Sequence, residues 1–213
     1  MAPAWPAWFG RRGGDASRWL VLDVESSGLD PTRDRLLAIA AVAVQADGAR
    51  LVVRPGDSFE VVLRQPDVAP DKANILVHGI GVAAQRAGVE PAAALQAFVD
   101  FAGDAPLVAF HAAFDRALIE RALRAVLGRK LPNAWLDLAD LAPVLRPDLK
   151  AKALDEWLAA YGLTVAVRHQ AAADTLATAE LFQRLWPLAR AQGADARFAS
   201  VSKIAAARRW MPS

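Results

Sequence analysis

The segment 19–25 reads Trp-Leu-Val-Leu-Asp-Val-Glu and is followed at once by Ser-Ser-Gly at 26–28. Its continuous run of strand-forming apolar residues predicts a buried β-strand that ends where the serines and the glycine begin. Asp23 and Glu25 are two positions apart, so their carboxylates leave the same face of that strand, about 6 to 7 Å apart along the chain. The stretch therefore predicts a core strand that ends in two acids.

Beyond this strand, the pattern changes from consecutive strands to strands that alternate with helices. Segments 36–44 and 49–54 predict two strands joined by a turn at 46–48, and 59–63 predicts another short extended piece. A short apolar strand is predicted at 106–110, among helices predicted at 91–101, 115–127, 151–161 and 172–185, the last of which ends before Pro187. This order of elements predicts an α/β sandwich around a mixed β-sheet.

The 213-residue chain has the size and composition of one globular domain, with 54% hydrophobic residues and no repeat or internal linker. We expect the domain to span 19–190, between a flexible N-terminal arm at 1–18 and a short basic C-terminal tail at 191–213, in which apolar spacing predicts a short amphipathic helix. The absence of cysteine excludes disulfide scaffolds, thiolate zinc sites and cysteine nucleophiles. Because the chain has neither a signal-peptide pattern nor an apolar run of about 18 residues, we expect a cytoplasmic protein without a membrane partner.

Charge is distributed unevenly behind a net value of +2. Residues 1–18 carry three arginines and one aspartate, and 191–213 carry four basic residues and one aspartate, so 19–190 has a net charge of −3. Basic ends on an acidic body are compatible with a polyanionic partner that contacts the body through bound cations. Two divalent ions bound to this body would add +4 to its charge of −3 and bring it to +1. An acidic body that binds such ions need not repel a nucleic-acid backbone.

Two further acids lie where helices are predicted to begin. Asp115 follows the strand candidate at 106–110, and Asp174 shares a helix stripe with Ala177 and Leu181 that is expected to face the core. A charge on a buried stripe needs a partner. His169 precedes Asp174 by five positions, which favours a place on the preceding loop, leaning over the same site. An ordinary helix-capping role for Asp115 and a solvated loop position for His169 are the alternatives.

The four acids form a hard oxygen ligand set that suits Mg²⁺ or Mn²⁺ rather than zinc. A cation would also compensate the repulsion between Asp23 and Glu25 at a partly buried strand end. Two such ions, about 3.5 to 4 Å apart, can stabilise both the attacking and the leaving oxygen of a phosphodiester displacement. The residue types therefore indicate a divalent-metal site with two ions.

Three motifs resemble, in order and spacing, the DnaQ-like (DEDD) 3′-to-5′ exonuclease family in its histidine-containing (DEDDh) branch, over about residues 18–190. They are Asp-Val-Glu-Ser-Ser-Gly-Leu at 23–29, Phe114-Asp115, and His169 with Asp174 five positions later. The resemblance includes His78-Gly79-Ile80, similar to a His-Gly-Ile element of that family, and Leu136-Asp137-Leu138, similar to an acid-containing segment. It implies a ribonuclease H-like three-layer sandwich, with about five strands flanked by helices. One departure is that His111 stands where the family commonly has asparagine, and a supporting hydrogen bond is a simpler expectation for it than catalysis.

The resemblance also implies roles for the site residues. Asp23 would bridge both ions, Glu25 and Asp174 would bind one of them, Asp115 would hold the other through water, and His169 would take the proton from the attacking water. Contacts to the terminal nucleotide are implied for Ser26, Ser27, Leu29, His78 and Phe114. For Leu29 and Phe114, ordinary core packing is the alternative.

The activity that the resemblance implies is metal-dependent hydrolysis at the free 3′ end of a single-stranded nucleic acid, with release of nucleoside 5′-monophosphates. DNA is favoured by similarity to proofreading-type members, and an RNA-directed exonuclease or oligoribonuclease is the alternative, since contacts to the 2′-hydroxyl cannot be read from spacing. A non-catalytic nucleic-acid-binding module is a further alternative, although every catalytic residue type is retained. The tail is too short to resemble a polymerase-binding extension, so stable membership of a polymerase complex is not expected, and the oligomeric state is left open.

Overall fold

A five-stranded mixed β-sheet forms the centre of the protein. The computed structural model describes residues 17–47, 49–66, 75, 79–165 and 170–211. The strands are β1 Arg18–Ser26, β2 Leu36–Asp47, β3 Arg50–Val62, β4 Leu107–Ala109 and β5 Trp135–Asp137. They lie in the order β3-β2-β1-β4-β5, with antiparallel pairing among the first three and parallel pairing from β1 to β4 and from β4 to β5. The predicted α/β class with a mixed sheet is confirmed.

Helices cover both faces of this sheet. In the described residues they are α1 Val82–Ala87, α2 Pro91–Ala102, α3 Ala112–Leu127, α4 Leu138–Leu145, α5 Leu154–Ala160, α6 Ala171–Ala191 and α7 Phe198–Ala205, followed by a 3₁₀ helix at Ala206–Trp210. Alternation along β1 separates two cores: Leu20 and Leu22 pack with α2 and α3, whereas Trp19 and Val21 pack with α4, α5, α6 and α7. The result is the predicted three-layer arrangement.

Two predicted element boundaries are wrong, both near a proline. Segments 49–54 and 59–63 belong to the single strand β3, because the pairing with β2 jumps from Arg54 to Ser58 and so accommodates Pro55 in a bulge. The last helix does not end before Pro187 but continues to Ala191. The ring of Pro187 lies on the exposed side of α6, while buried residues on the opposite side continue the apolar stripe past it.

The segment after α6 completes one of the two cores. It forms α7, as its spacing predicts, and Val201 and Ala205 are buried against the body. Trp19 is fully buried: its indole N–H donates to the carbonyl of Ala196 at 3.3 Å, and its ring lies 5.8 Å from that of Phe198. None of the helices in the described ranges is both long and apolar enough to cross a bilayer.

Candidate active site

Asp23 and Glu25 lie at the carboxyl end of β1, on the face that α6 covers. Trp19 and Val21 are buried in the core between the sheet and α6, and strand alternation brings the two acids to that same face. Both acids are half-buried. Ala40 of β2 lies opposite Asp23 in the antiparallel register, so a small side chain leaves this end of the sheet open to the acids.

Asp174 is brought above the same point by the first turn of α6. This helix packs across β1, β2 and β3, and Asp174 is buried, with 6% of its surface exposed. The hydroxyl of its neighbour Thr175 donates to the carbonyl of Ala40 at 3.2 Å. Because Ala40 is the partner of Asp23 across the sheet, this hydrogen bond fixes the turn that carries Asp174 over the end of β1.

Asp115 reaches the same strand end from the opposite layer, in the first turn of α3. The backbone N–H groups of Val24 and of Asp115 itself act on its carboxyl in the direction of a lower pKa. The N–H of Leu20 donates to the carbonyl of Pro106 at 2.9 Å, so the N–H of Val24, four residues on, points to the same edge of β1. The short strand β4 pairs with β1 only at Leu20 and Val21. Asp115 therefore lies beside the part of β1 that continues past the end of β4.

The environment of Asp115 disfavours its ionised form. Only 4% of this residue is exposed, and burial raises the pKa of its carboxyl well above the usual range. The negative charge of Asp23 raises that pKa further. A buried carboxyl beside a second acid is a place where a bound cation would be stabilising, and such groups are concentrated at functional sites.

The donor set fits a divalent cation by its chemistry. Asp23, Glu25, Asp115 and Asp174 offer only carboxylate oxygens, and they approach one end of β1 from the sheet and from both helix layers. Among the residues that the structure describes, no three acidic or histidine side chains form a preassembled metal-binding cluster. Asp23 and Asp115 are close enough for the charge of Asp23 to raise the pKa of the Asp115 carboxyl.

The turn between β4 and α3 explains why histidine can replace asparagine at position 111. His111 has φ 64° and ψ 46°, and within the described ranges it is the one non-glycine residue with positive φ. Asparagine and histidine are both enriched in this left-handed conformation. The backbone N–H of His111 donates to Oδ1 of Asp137 at 2.9 Å, while its exposed ring packs edge-on against Phe110. Position 111 therefore requires a residue that adopts the left-handed backbone conformation, as both histidine and asparagine do.

The loop after β1 presents Leu29 to solvent. Its side chain is 91% exposed, so the alternative of core packing is wrong for this residue. Asp34 organises the loop, because its carboxylate accepts hydrogen bonds from the N–H of Asp30 at 2.8 Å and from the hydroxyl of Ser27 at 3.1 Å. A Cβ at Gly28 would lie 2.4 Å from Oδ2 of Asp34, so only glycine permits this close approach.

The other predicted contact residues differ in their surroundings. Phe114 is half-buried and packs against the core under α3, so packing accounts for at least part of its role. The hydroxyl of Ser26 donates to the carbonyl of Gly28, and that of Ser27 also accepts from the N–H of Arg35 at 2.9 Å. His78 and His169 lie outside the described residues.

Sequence reasoning missed how Asp34 and Asp137 organise the loops around the site. Asp137 ends β5 and caps α4 by accepting the N–H of Ala139 at 2.9 Å. An acid between a short apolar strand and a helix is a capping signal that could have revealed this role. Burial raises the pKa of Asp137, although both of its backbone donors oppose that shift.

Comparison with known families decides the classification. The model of a family described as Exonuclease matches residues 20–182, which include all of the described site elements. The chain belongs to this exonuclease family. The resemblance to DnaQ-like exonucleases is thereby confirmed for the fold and for most of the chain.

Relatives of this chain include proteins with DNA polymerase III in their names. It is 34% identical over 182 residues to a DNA polymerase III subunit epsilon-like protein of Rhodobacter capsulatus, a match that covers 84% of this chain and 25% of the relative. A DNA polymerase III PolC-type protein of Clostridium perfringens is 30% identical over 78% of this chain and 11% of the relative. The exonuclease thus spans a quarter or less of the length of these relatives.

A solved structure shows the same fold. The exonuclease superposes with a TM-score of 0.69 on E. coli Exonuclease I in complex with a dT13 oligonucleotide. The match covers 83% of this chain and 42% of that chain, at 22% sequence identity. The ribonuclease H-like architecture is therefore shared with a structure in which a single-stranded oligonucleotide is bound.

Proposed function

We propose that this exonuclease removes nucleotides from the 3′ end of single-stranded DNA and releases nucleoside 5′-monophosphates. The observation that carries the proposal is the placement of four carboxylates around the end of β1, where Asp115 and Asp174 are both buried. Such an arrangement is costly for the fold and suits a site that binds cations. The membership of the exonuclease family gives that site its reaction class.

The four carboxylates would hold two Mg²⁺ or Mn²⁺ ions. When bound, these ions would supply charge stabilisation to the attacking and leaving oxygens of the phosphodiester. The chain itself contributes rigid placement: Asp23 and Glu25 are fixed by the sheet, and Asp115 and Asp174 by the first turns of α3 and α6. Because each acid comes from a packed element, the fold holds the backbone of each proposed ligand near the end of β1.

His169 would accept the proton of the attacking water. The four acids would bind the cations and so would not be available as a base. An imidazole with a reference pKa of about 6.5 can serve as a base near neutral pH. Leu29 would contact the terminal base from its exposed loop, since an apolar side chain held at 91% exposure is suited to stacking on a nucleobase. His78, Ser26, Ser27 and Phe114 complete the proposed contacts.

DNA is the proposed substrate because of the relatives. Two of them are named as DNA polymerase III proteins, and the structural neighbour holds a DNA oligonucleotide. An RNA-directed activity is the second outcome that an experiment must separate, because the same carboxylates serve either substrate.

We predict that a 5′-labelled DNA strand with a free 3′-hydroxyl is shortened stepwise in Mg²⁺ or Mn²⁺, whereas the same strand with a blocked 3′ end survives. Matched RNA should be degraded more slowly than DNA. Gel analysis of the labelled fragments, with chromatography of the released nucleotides, measures both. Equal degradation of blocked and free strands would argue for an endonuclease or a 5′-directed enzyme, and faster loss of RNA would reassign the substrate.

A further inference from the structure

Asp137 joins two elements that meet beside the proposed catalytic centre. Its Oδ1 accepts one hydrogen bond from the N–H of His111, at the start of α3, and a second from the N–H of Ala139, at the start of α4. Both distances are 2.9 Å. The parallel register sets Asp137 opposite Ala109, so it lies at the same level of the sheet as the turn that follows β4.

That turn adopts a backbone conformation that has to be held. At φ 64° and ψ 46°, His111 is left-handed, which costs energy for any residue with a Cβ. A hydrogen bond from its N–H to a carboxylate is of the stronger, charge-assisted kind. The bond to Asp137 is therefore large enough to decide whether the turn keeps this conformation.

The first turn of α3 depends on the conformation of His111. The N–H of Phe114 donates to the carbonyl of His111 at 3.0 Å and thereby begins the helix. Asp115 is the next residue, and its carboxyl is the one whose pKa the charge of Asp23 raises at the end of β1. A change at His111 would rotate or fray this turn, and the carboxylate of Asp115 would move with it.

We propose that Asp137 is a positioning residue for Asp115, because it holds the left-handed turn that aims the first turn of α3 at the end of β1. It acts through the backbone of His111 and not by touching the substrate. The activity readout of its test rests on the proposed nuclease function, so a second readout that needs no activity accompanies it.

Three substitutions separate this role from the capping of α4. Asp137→Asn keeps an acceptor oxygen at Oδ1 and can retain both hydrogen bonds. Asp137→Ser keeps a good helix cap for Ala139 but is one atom too short to reach His111. Asp137→Ala removes both bonds. Asp137→Asn and Asp137→Ser therefore form a matched pair that differs in the link to His111.

We expect Asp137→Asn to keep kcat within about threefold of the wild type, and Asp137→Ser and Asp137→Ala to lower it by about 10- to 100-fold, as a small misplacement of a catalytic group does. Thermal unfolding should show the Ser variant less stable than the wild type and the Ala variant less stable still, because only the Ala variant also loses the cap of α4. Adding His111→Asn to Asp137→Ser should restore part of kcat, because asparagine adopts the left-handed conformation readily.

Amide hydrogen exchange of residues 111–115, followed by NMR, tests the proposal independently of activity. Exchange should be faster in Asp137→Ser than in Asp137→Asn. Unchanged exchange in the Ser variant, wild-type kcat in that variant, or an equal loss of kcat in the Asn variant would each overturn the positioning role. A wild-type protein that degrades no strand would contradict the proposed function, while the exchange comparison would still decide this inference.

Discussion

Asp115→Asn should lower kcat/KM by about 10³-fold or more while leaving the metal-free fold as stable as the wild type or more so. The loss of activity follows from removing an anionic ligand, because charge stabilisation by bound ions is worth several kcal/mol in such reactions. The fold tolerates the change because asparagine has nearly the same shape, needs no buried charge, and removes the repulsion between Asp115 and Asp23. Steady-state kinetics and thermal unfolding measure the two effects.

The pH dependence of stability gives this prediction its sign. The pKa of Asp115 is higher in the folded chain than in the unfolded chain, so its contribution to stability is complete below about pH 4 and is lost as the pH rises through the folded value. The metal-free wild type should therefore lose stability over that interval, and Asp115→Asn should not. Asp100→Asn, which changes an exposed acid of α2, is the control. If metal-free Asp115→Asn unfolded at a temperature well below that of the metal-free wild type at neutral pH, the proposed environment of Asp115 would be wrong.

His169→Ala should reduce kcat by about 10² to 10⁴-fold with little change in metal or DNA binding. Its proposed work is proton transfer, so the acidic limb of the pH profile of kcat should disappear in the variant. Asp174→Ala should weaken metal binding instead, because its carboxylate is a proposed ligand. Single-turnover kinetics with Mn²⁺ titration distinguishes these two kinds of defect.

His111→Asn is the matched control for His169→Ala. It removes an imidazole close to the site but keeps a residue that favours the left-handed turn. We expect its kcat to stay within about threefold of the wild type. If His111→Asn loses activity while His169→Ala retains it, the base lies beside Asp115 and the assignment of His169 is wrong.

The strand that ends in Asp23 and Glu25 could be predicted because its signal is local: an apolar run, a spacing of two and a Ser-Ser-Gly break. The stripe that begins at Asp174 is also local, since helix periodicity sets which residues share its face. The family resemblance joined these pieces into one site. The left-handed turn at His111 could not be predicted in this way, because it depends on a contact with Asp137, 26 residues further along the chain.

Leu29 illustrates a second limit of local patterns. An apolar residue after a buried strand is compatible with a core position and with an exposed one, since both use the same side chain. What places Leu29 in solvent is the hydrogen bonding of Asp34 across the loop, together with the space that Gly28 leaves. The continuation of α6 past Pro187 was missed for a similar reason, because burial on the opposite side of the helix outweighs the lost hydrogen bond.

Thermal unfolding of the wild type and of Asp23→Asn, each with and without Mn²⁺, tests most directly whether the acids at the end of β1 form a cation site. At about 100 times the dissociation constant, binding to the folded state alone adds about 2.7 kcal/mol, which corresponds to about 5 to 10 °C for a domain of this size. We predict this rise for the wild type and a much smaller one for Asp23→Asn. No rise in the wild type, or the same rise in both proteins, would contradict the account.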